Sequence, residues 1–238
     1  TVLDRGFSVA MTAVAGVAGD RDVEPLACAS PGNAGQSMAA YAGRAGLRSY
    51  AFVPSRCAFS NKSMTNVHGG DMRVVGGRYA DAAAAVDDQL ETSYTDLNEF
   101  TTPYRHEGIK TVAFELAADL GAAPDVVVVP TGTGEVIAGV YKGFVELERI
   151  GAVDAVPRLV AAQASGCAPV AAAVDRGLDE PEPWSTPDTI CGELEIPDPA
   201  GGAAAVEAVT ESGGTATAAD DEDVLASAVA VAQNEVME

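Results

Sequence analysis

The chain has 238 residues, 47% of them hydrophobic, enough for one large or two small globular domains with a sizeable core. Its 35 acidic residues against 14 basic give a net charge of −21, and no basic patch exists to displace counterions from a nucleic-acid backbone. No apolar run is long enough to span a bilayer, and the start (TVLDRGFSVA) lacks the basic and long apolar regions of a signal peptide, so the sequence predicts a cytoplasmic protein.

The chain begins on Thr, and its final helical pattern (DEDVLASAVAVAQNEVME) runs to the last residue, so we expect both ends to be cut. In chain order, EPLACAS reads as a strand, followed by a loop and a helix from about Ala34 to Ala45. SYAFVP is a strand, and a helix follows around Lys62 to His68. DMRVVGG is a strand before the helix YADAAAAVDDQLE, and YTDL is a short strand. The stretch EGIKTVAFELAADLG places Val112, Leu116 and Leu120 on one helical face. DVVVVP is a strand whose run of valines predicts burial on both sides. A glycine loop and the helix VIAGVYKGFVELERIG come next, then the strand RLVAAQA. Prolines and acidic residues cluster from Glu182 to Pro199, which predicts a surface excursion. A last unit reads as helix (GGAAAVEAVTESGG), strand (TATAA) and a helix capped by Asp220 or Asp221. This βαβα order predicts an α/β fold with parallel sheet covered by helices.

Acidic residues are spread along the chain, and its only lysines are Lys62, Lys110 and Lys142. That pattern predicts a salt-adapted, halophilic surface, because high salt screens the self-repulsion. Cys28, Cys57, Cys167 and Cys191 form no CxxC, and His68 and His106 show no ligand spacing with them, so no metal is expected.

Two junctions between a strand and a helix carry small residues: CASPGNAGQS (Cys28 to Ser37) and PTGTGEVIAG (Pro130 to Gly139). Free backbone N–H groups and the helix dipole make such junctions anion sites, and glycine lets the backbone approach closely. Taken singly, each loop reads more simply as an ordinary tight turn. In the second, Gly132 and Gly134 match the first two places of a dinucleotide fingerprint, but the third falls on the bulky Ile137. Neither loop has the GK followed by Ser or Thr of a Walker A motif. One small phosphate on a compact cofactor remains.

The segment SPGNAGQSMAAYAGRAG resembles the asparagine loop and following helix of the fold-type II pyridoxal-phosphate enzymes, and within them the threonine synthases. YTDLNEFTTPYRHEGIKTVAFELA, VVVPTGTGEVIAGVYKGF and PRLVAAQASGCAPV are similar to the same subset in the same order. The resemblance implies a two-lobed α/β protein, tryptophan synthase β-like, with an N-terminal lobe over residues 1–95 and a C-terminal lobe over 96–238. It implies pyridoxal 5′-phosphate in the cleft between them. Asn33 would hydrogen-bond the 3-oxygen of its ring. Ser30, Gly32 and Ala34 would offer donors to a substrate carboxylate. Gly132, Thr133 and Gly134 would cradle the cofactor phosphate. The implied partners are a small amino-acid substrate and a second copy of the chain in a homodimer.

The sequence departs from the family at three places. The family's cofactor lysine stands in Ser-Phe-Lys-Asp-Arg-Gly, and this chain reads Thr1-Val2-Leu3-Asp4-Arg5-Gly6. Leu3 cannot form a Schiff base or move a proton, so no catalytic residue is assigned and any cofactor is held non-covalently. Glu135 stands where the family's loop often has glycine, and its carboxylate would repel a phosphate unless it points away. The family also continues beyond both ends of this chain. The resemblance implies threonine-synthase chemistry, O-phosphohomoserine to threonine and phosphate. Leu3 sets beside it a non-catalytic relative or fragment that binds the cofactor, an amino acid or a partner, and a serine or threonine dehydratase shares the scaffold.

Overall fold

The computed structural model describes residues 25–90 and 93–234, so Leu3 lies outside the described residues. The described residues divide into two compact units, one holding residues 25–90, 93–125 and 138–157, the other residues 126–137 and 158–234.

The first unit is built on a four-stranded parallel sheet in the order β3-β2-β1-β4. Its strands are β1 (Leu26–Ala29), β2 (Ser49–Pro54), β3 (Asp71–Val75) and β4 (Thr95–Asp96). Between them run α1 (Asn33–Ala45), α2 (Phe59–Val67) and α3 (Tyr79–Gln89). β1 is central and wholly buried, pairing Leu26 with Ser49 on one side and with Thr95 on the other. Its side chains alternate between two cores, as a period of two requires. Leu26 and Cys28 join Met38, Ala42, Ala51 and Leu97. Ala27 and Ala29 join Phe52, Ala82, Ala85 and Val86 on the opposite face. Covering both faces with helices is what a parallel sheet demands, and the alanines let those helices approach closely.

Two helices follow β4: α4 (Tyr104–Ile109) and α5 (Thr111–Leu120). The sequence predicts one helix here, and the break falls at Lys110. The Thr111 hydroxyl donates to the Gly108 carbonyl at 2.7 Å, and Ala113 N–H reaches Lys110 O at 3.1 Å, a tighter i to i+3 turn. Both helices pack on α6 (Glu135–Arg149) through its glycines. A Cβ on Gly139 would come within 2.5 Å of Ile109, and one on Gly143 would strike the Lys110 carbonyl. Residues 96–125, with these two helices, fall in the first unit.

The second unit holds a three-stranded parallel sheet, β5-β6-β7, made of Val126–Pro130, Arg158–Ala164 and Thr215–Ala219. Its remaining helices are α7 (Pro169–Arg176), α8 (Gly202–Glu211) and α9 (Asp221–Asn234). The expectation that β5 is buried on both sides is not met: Val126 is 38% and Val128 61% exposed, while Val129 is buried. The reason is position, since β5 is an edge strand of this sheet. Sequence reading missed α7, although Pro169 in its first turn and Gly177 in the left-handed C-cap conformation both mark it. The carboxylates expected to cap α9 bind elsewhere: Asp220 accepts from Ser165, and Asp221 from Thr189 and from Ile190 N–H. No helix among the described residues is long and apolar enough to cross a membrane.

Candidate functional site

In the first unit, the sequence-selected residues Ser30, Gly32, Asn33 and Ala34 gather where β1 gives way to α1. Ser30 is buried, and its N–H donates to Phe52 O at 2.9 Å, which ties the end of β1 to β2. Its hydroxyl oxygen accepts from Gly32 N–H at 3.1 Å, closing a tight turn. Asn98 fixes the same strand end from the other side, accepting from Ala29 N–H at 2.8 Å. Gly32 occupies the N-cap position of α1, and no side chain caps the helix. The N–H groups of its first turn therefore meet no capping side chain, and the positive end of the helix is left for an anion. Asn33 opens α1 in a right-handed conformation; the only non-glycine residue with positive φ among those described is Phe100. The Asn33 side-chain oxygen accepts from Gln36 Nε2 at 2.7 Å, which orients the amide.

In the second unit, the junction between β5 and α6 carries the glycine loop. Thr131 is buried and fully engaged. Its N–H donates to Ala162 O at 2.8 Å, its hydroxyl to Val129 O at 2.8 Å, and its carbonyl accepts from Gln163 Nε2 at 3.0 Å. The Gln163 oxygen in turn accepts from Ala171 N–H at 3.0 Å, tying the loop to the start of α7. Thr133 O accepts from Gly201 N–H at 2.8 Å. The amides of Gly132, Thr133 and Gly134 meet no protein acceptor among the described residues. Three successive donors without an acceptor among the described residues, ahead of a helix N-terminus, are the arrangement that an anion cradle requires.

Gly134 has to be glycine on two counts. Its φ is +87°, and a Cβ there would strike the Gly201 carbonyl. A Cβ on Gly132 would lie 3.0 Å from Glu193 O. The segment from Glu193 to Gly202 thus packs directly over the loop and holds its shape. Glu135, the first residue of α6, is 1% exposed. Its carboxylate sits in the first helical turn, where the dipole favours negative charge and where an incoming phosphate would also bind.

All three lysines have partners. Lys62 Nζ donates to Ser55 O at 2.8 Å. Lys110 pairs with Glu107 and, at 2.8 Å, with Glu146, and Lys142 pairs with Glu107. Hydrogen bonds from Lys110 first and Lys142 second hold the Glu107 carboxyl below its ordinary range, and bonds to Glu107 and Glu146 push the Lys110 ammonium above its own. Sequence reading missed three further contributors: Gln36, Asn98 and Gln163. Of these only Gln163 carried a signal, as a lone amide in the apolar strand RLVAAQA.

The family described as pyridoxal-phosphate dependent enzyme matches residues 2–237. A threonine synthase of Methanosarcina acetivorans is 32% identical over 225 residues, 94% of this chain and 55% of that protein. A threonine synthase of Mycobacterium bovis is 36% identical over 241 residues, 98% of this chain and 62% of that protein. The chain thus spans little more than half the length of these curated relatives. In fold it is similar to a fungal L-serine ammonia-lyase from Rhizomucor miehei, with a TM-score of 0.80 at 17% identity, covering 100% of this chain and 72% of that one. A maize serine racemase gives a TM-score of 0.76 at 20% identity, over 98% of this chain and 67% of that one. With its asparagine junction, its glycine cradle and a family match along nearly its whole length, the chain belongs to the pyridoxal-phosphate dependent enzymes of fold type II.

Proposed function

We propose that this chain binds pyridoxal 5′-phosphate non-covalently in a threonine synthase-like site and that Leu3 leaves the site without turnover. The observation that carries the reading is the row of three unpaired amides at Gly132, Thr133 and Gly134, ahead of α6. They suit a single phosphate, and the loop lacks the third glycine and the lysine that dinucleotides and P-loop nucleotides need.

Asn33 would hold the ring oxygen of the cofactor, its amide already oriented by Gln36. Ser30, Gly32 and Ala34 would hold the substrate carboxylate at the uncapped start of α1. The cofactor, when bound, supplies an electron sink for charge developing at the α-carbon of an amino acid. Moving the proton at that carbon takes a basic side chain, and the family's lysine position is Leu3. Lys62, Lys110 and Lys142 are each engaged with carbonyl or carboxylate partners, which argues against any of them as a replacement.

The substrate reading, O-phosphohomoserine, rests on the 32% and 36% identity to threonine synthases. The test is Leu3→Lys. This variant should acquire cofactor that borohydride fixes covalently at residue 3, and should release inorganic phosphate from O-phosphohomoserine. Release of a keto acid and ammonia from serine or threonine instead would assign a deaminase. A folded variant that takes up no cofactor would overturn the reading. The family reading also implies a homodimer, which the mass of the purified protein in solution checks directly.

A further inference from the structure

The described residues also line a concave feature that begins at the end of the asparagine junction, with Gln36 and Ser37, and runs along α1. It is a cavity of about 330 Å³ in the first unit, between α1 and α2, lined by Gln36, Tyr41, Arg44, Met64 and His68 among others. That volume lies within the range of small-molecule sites. Its wall is chemically uneven. Arg44, Tyr41, His68 and Gln36 offer a guanidinium, a phenol, an imidazole and an amide, while Met64 and Ala40 supply apolar surface.

The charge makes this lining informative. The chain carries 35 acidic residues, yet none of those described lines this cavity. Neither the Arg44 guanidinium nor the His68 side chain pairs with a carboxylate among the described residues. An arginine whose planar fork of donors meets no carboxylate among the described residues, beside an imidazole, suits a carboxylate or phosphate group. Met64 and Ala40 suit a short apolar body behind it.

We propose that this groove binds a small organic anion, a phosphate- or carboxylate-bearing metabolite, with Arg44 and His68 on the anionic group and Gln36 at its inner end. Gln36 gives the groove an output. Its amide donates to Asn33 Oδ1 at 2.7 Å, so a ligand that draws Gln36 away frees the Asn33 side chain to turn. Binding itself is independent of the cofactor reading; only the consequence of moving Asn33 rests on it.

The experiment is an NMR titration of the full chain in molar potassium chloride, with inorganic phosphate as one probe and acetate as the other. The His68 imidazole and the Gln36 and Asn33 side-chain amides are followed alongside the backbone amides of Gly132, Thr133 and Gly134. We expect saturable movement of the His68 and Gln36 signals, with Asn33 moving in step, and the tighter probe names the anionic group. Arg44→Gln should weaken this response at least about tenfold and leave the response of the glycine loop unchanged. His68→Gln, a second exposed change, should weaken it as well. No saturable movement with either anion would overturn the proposal. So would movement that survives Arg44→Gln undiminished, which would leave Arg44 as a charge complementing the C-terminal end of α1. Failure of the cofactor reading would instead appear at the glycine-loop amides.

Discussion

Glu135 puts a buried carboxylate into the first turn of α6, immediately after the three donors of the glycine cradle. It stabilises the helix end and competes for the same positive potential that a phosphate needs. Glu135→Gln keeps the shape and removes the charge, so it should tighten binding of inorganic phosphate about tenfold, roughly 1.4 kcal/mol by the affinity relation. Isothermal titration in molar salt reads this directly, and unchanged affinity would mean that the carboxylate does not feel the anion. Gly134→Ala should act oppositely: the methyl meets the Gly201 carbonyl at a φ of +87°, costing about 1–3 kcal/mol of stability and abolishing phosphate binding. The same residues explain what could be read without coordinates. The two junctions were legible because small residues between a strand and a helix announce a backbone geometry, while Asn33, Gly132 and Gly134 were singled out by the resemblance of those junctions to the family. Gln36 and Asn98 were not, because their hydrogen bonds reach positions that no periodicity marks.

Among the elements, the strands SYAFVP, RLVAAQA and TATAA run over the residues the sequence predicts, since each is a short apolar or β-branched run between turn signals. The division between α4 and α5 was illegible because it rests on the Thr111 hydroxyl and on the contact of Lys110 with Gly143. That junction is also where charge braces α6. Glu107 is held below its ordinary value of 4.5, so its contribution is complete above that value and is lost as pH falls through the depressed folded value. Lys110 is raised above 10.5, so its contribution is complete below 10.5 and is lost as pH rises through the raised value. The Glu107 side chain is 42% exposed, so solvent screening limits each pair to about 0.2–1 kcal/mol. Glu107→Gln should therefore leave the alkaline limb of the stability profile governed by Lys110 and Glu146, and flatten the acid limb below about pH 4.5. Arg105 is a heavier matter. It is fully buried, donates to Leu97 O and lies 3.6 Å from the Glu99 carboxylate. Arg105→Ala leaves that carboxylate buried and should lower stability by about 3–5 kcal/mol in urea unfolding.

For the molecule as a whole, the net charge of −21 is a self-repulsion that salt screens. Raising potassium chloride from about 0.1 M to about 1 M shortens the screening length from about 10 Å to about 3 Å. The unfolding midpoint should rise by roughly 5–10 °C over that range, and a flat response would remove salt adaptation from the account. Fold class was legible from the βαβα order alone. The exposure of β5 was not, because a valine run looks the same at the centre of a sheet and at its edge. One titration probes both the glycine loop and the leucine at the family's lysine position. Pyridoxal phosphate added to the purified protein in molar salt should give a saturable change in its visible spectrum, and borohydride followed by dialysis should leave no cofactor on the chain. Cofactor fixed covalently to Lys62, Lys110 or Lys142, or no binding at all by a folded protein, would rule out a non-covalent cofactor site in this chain.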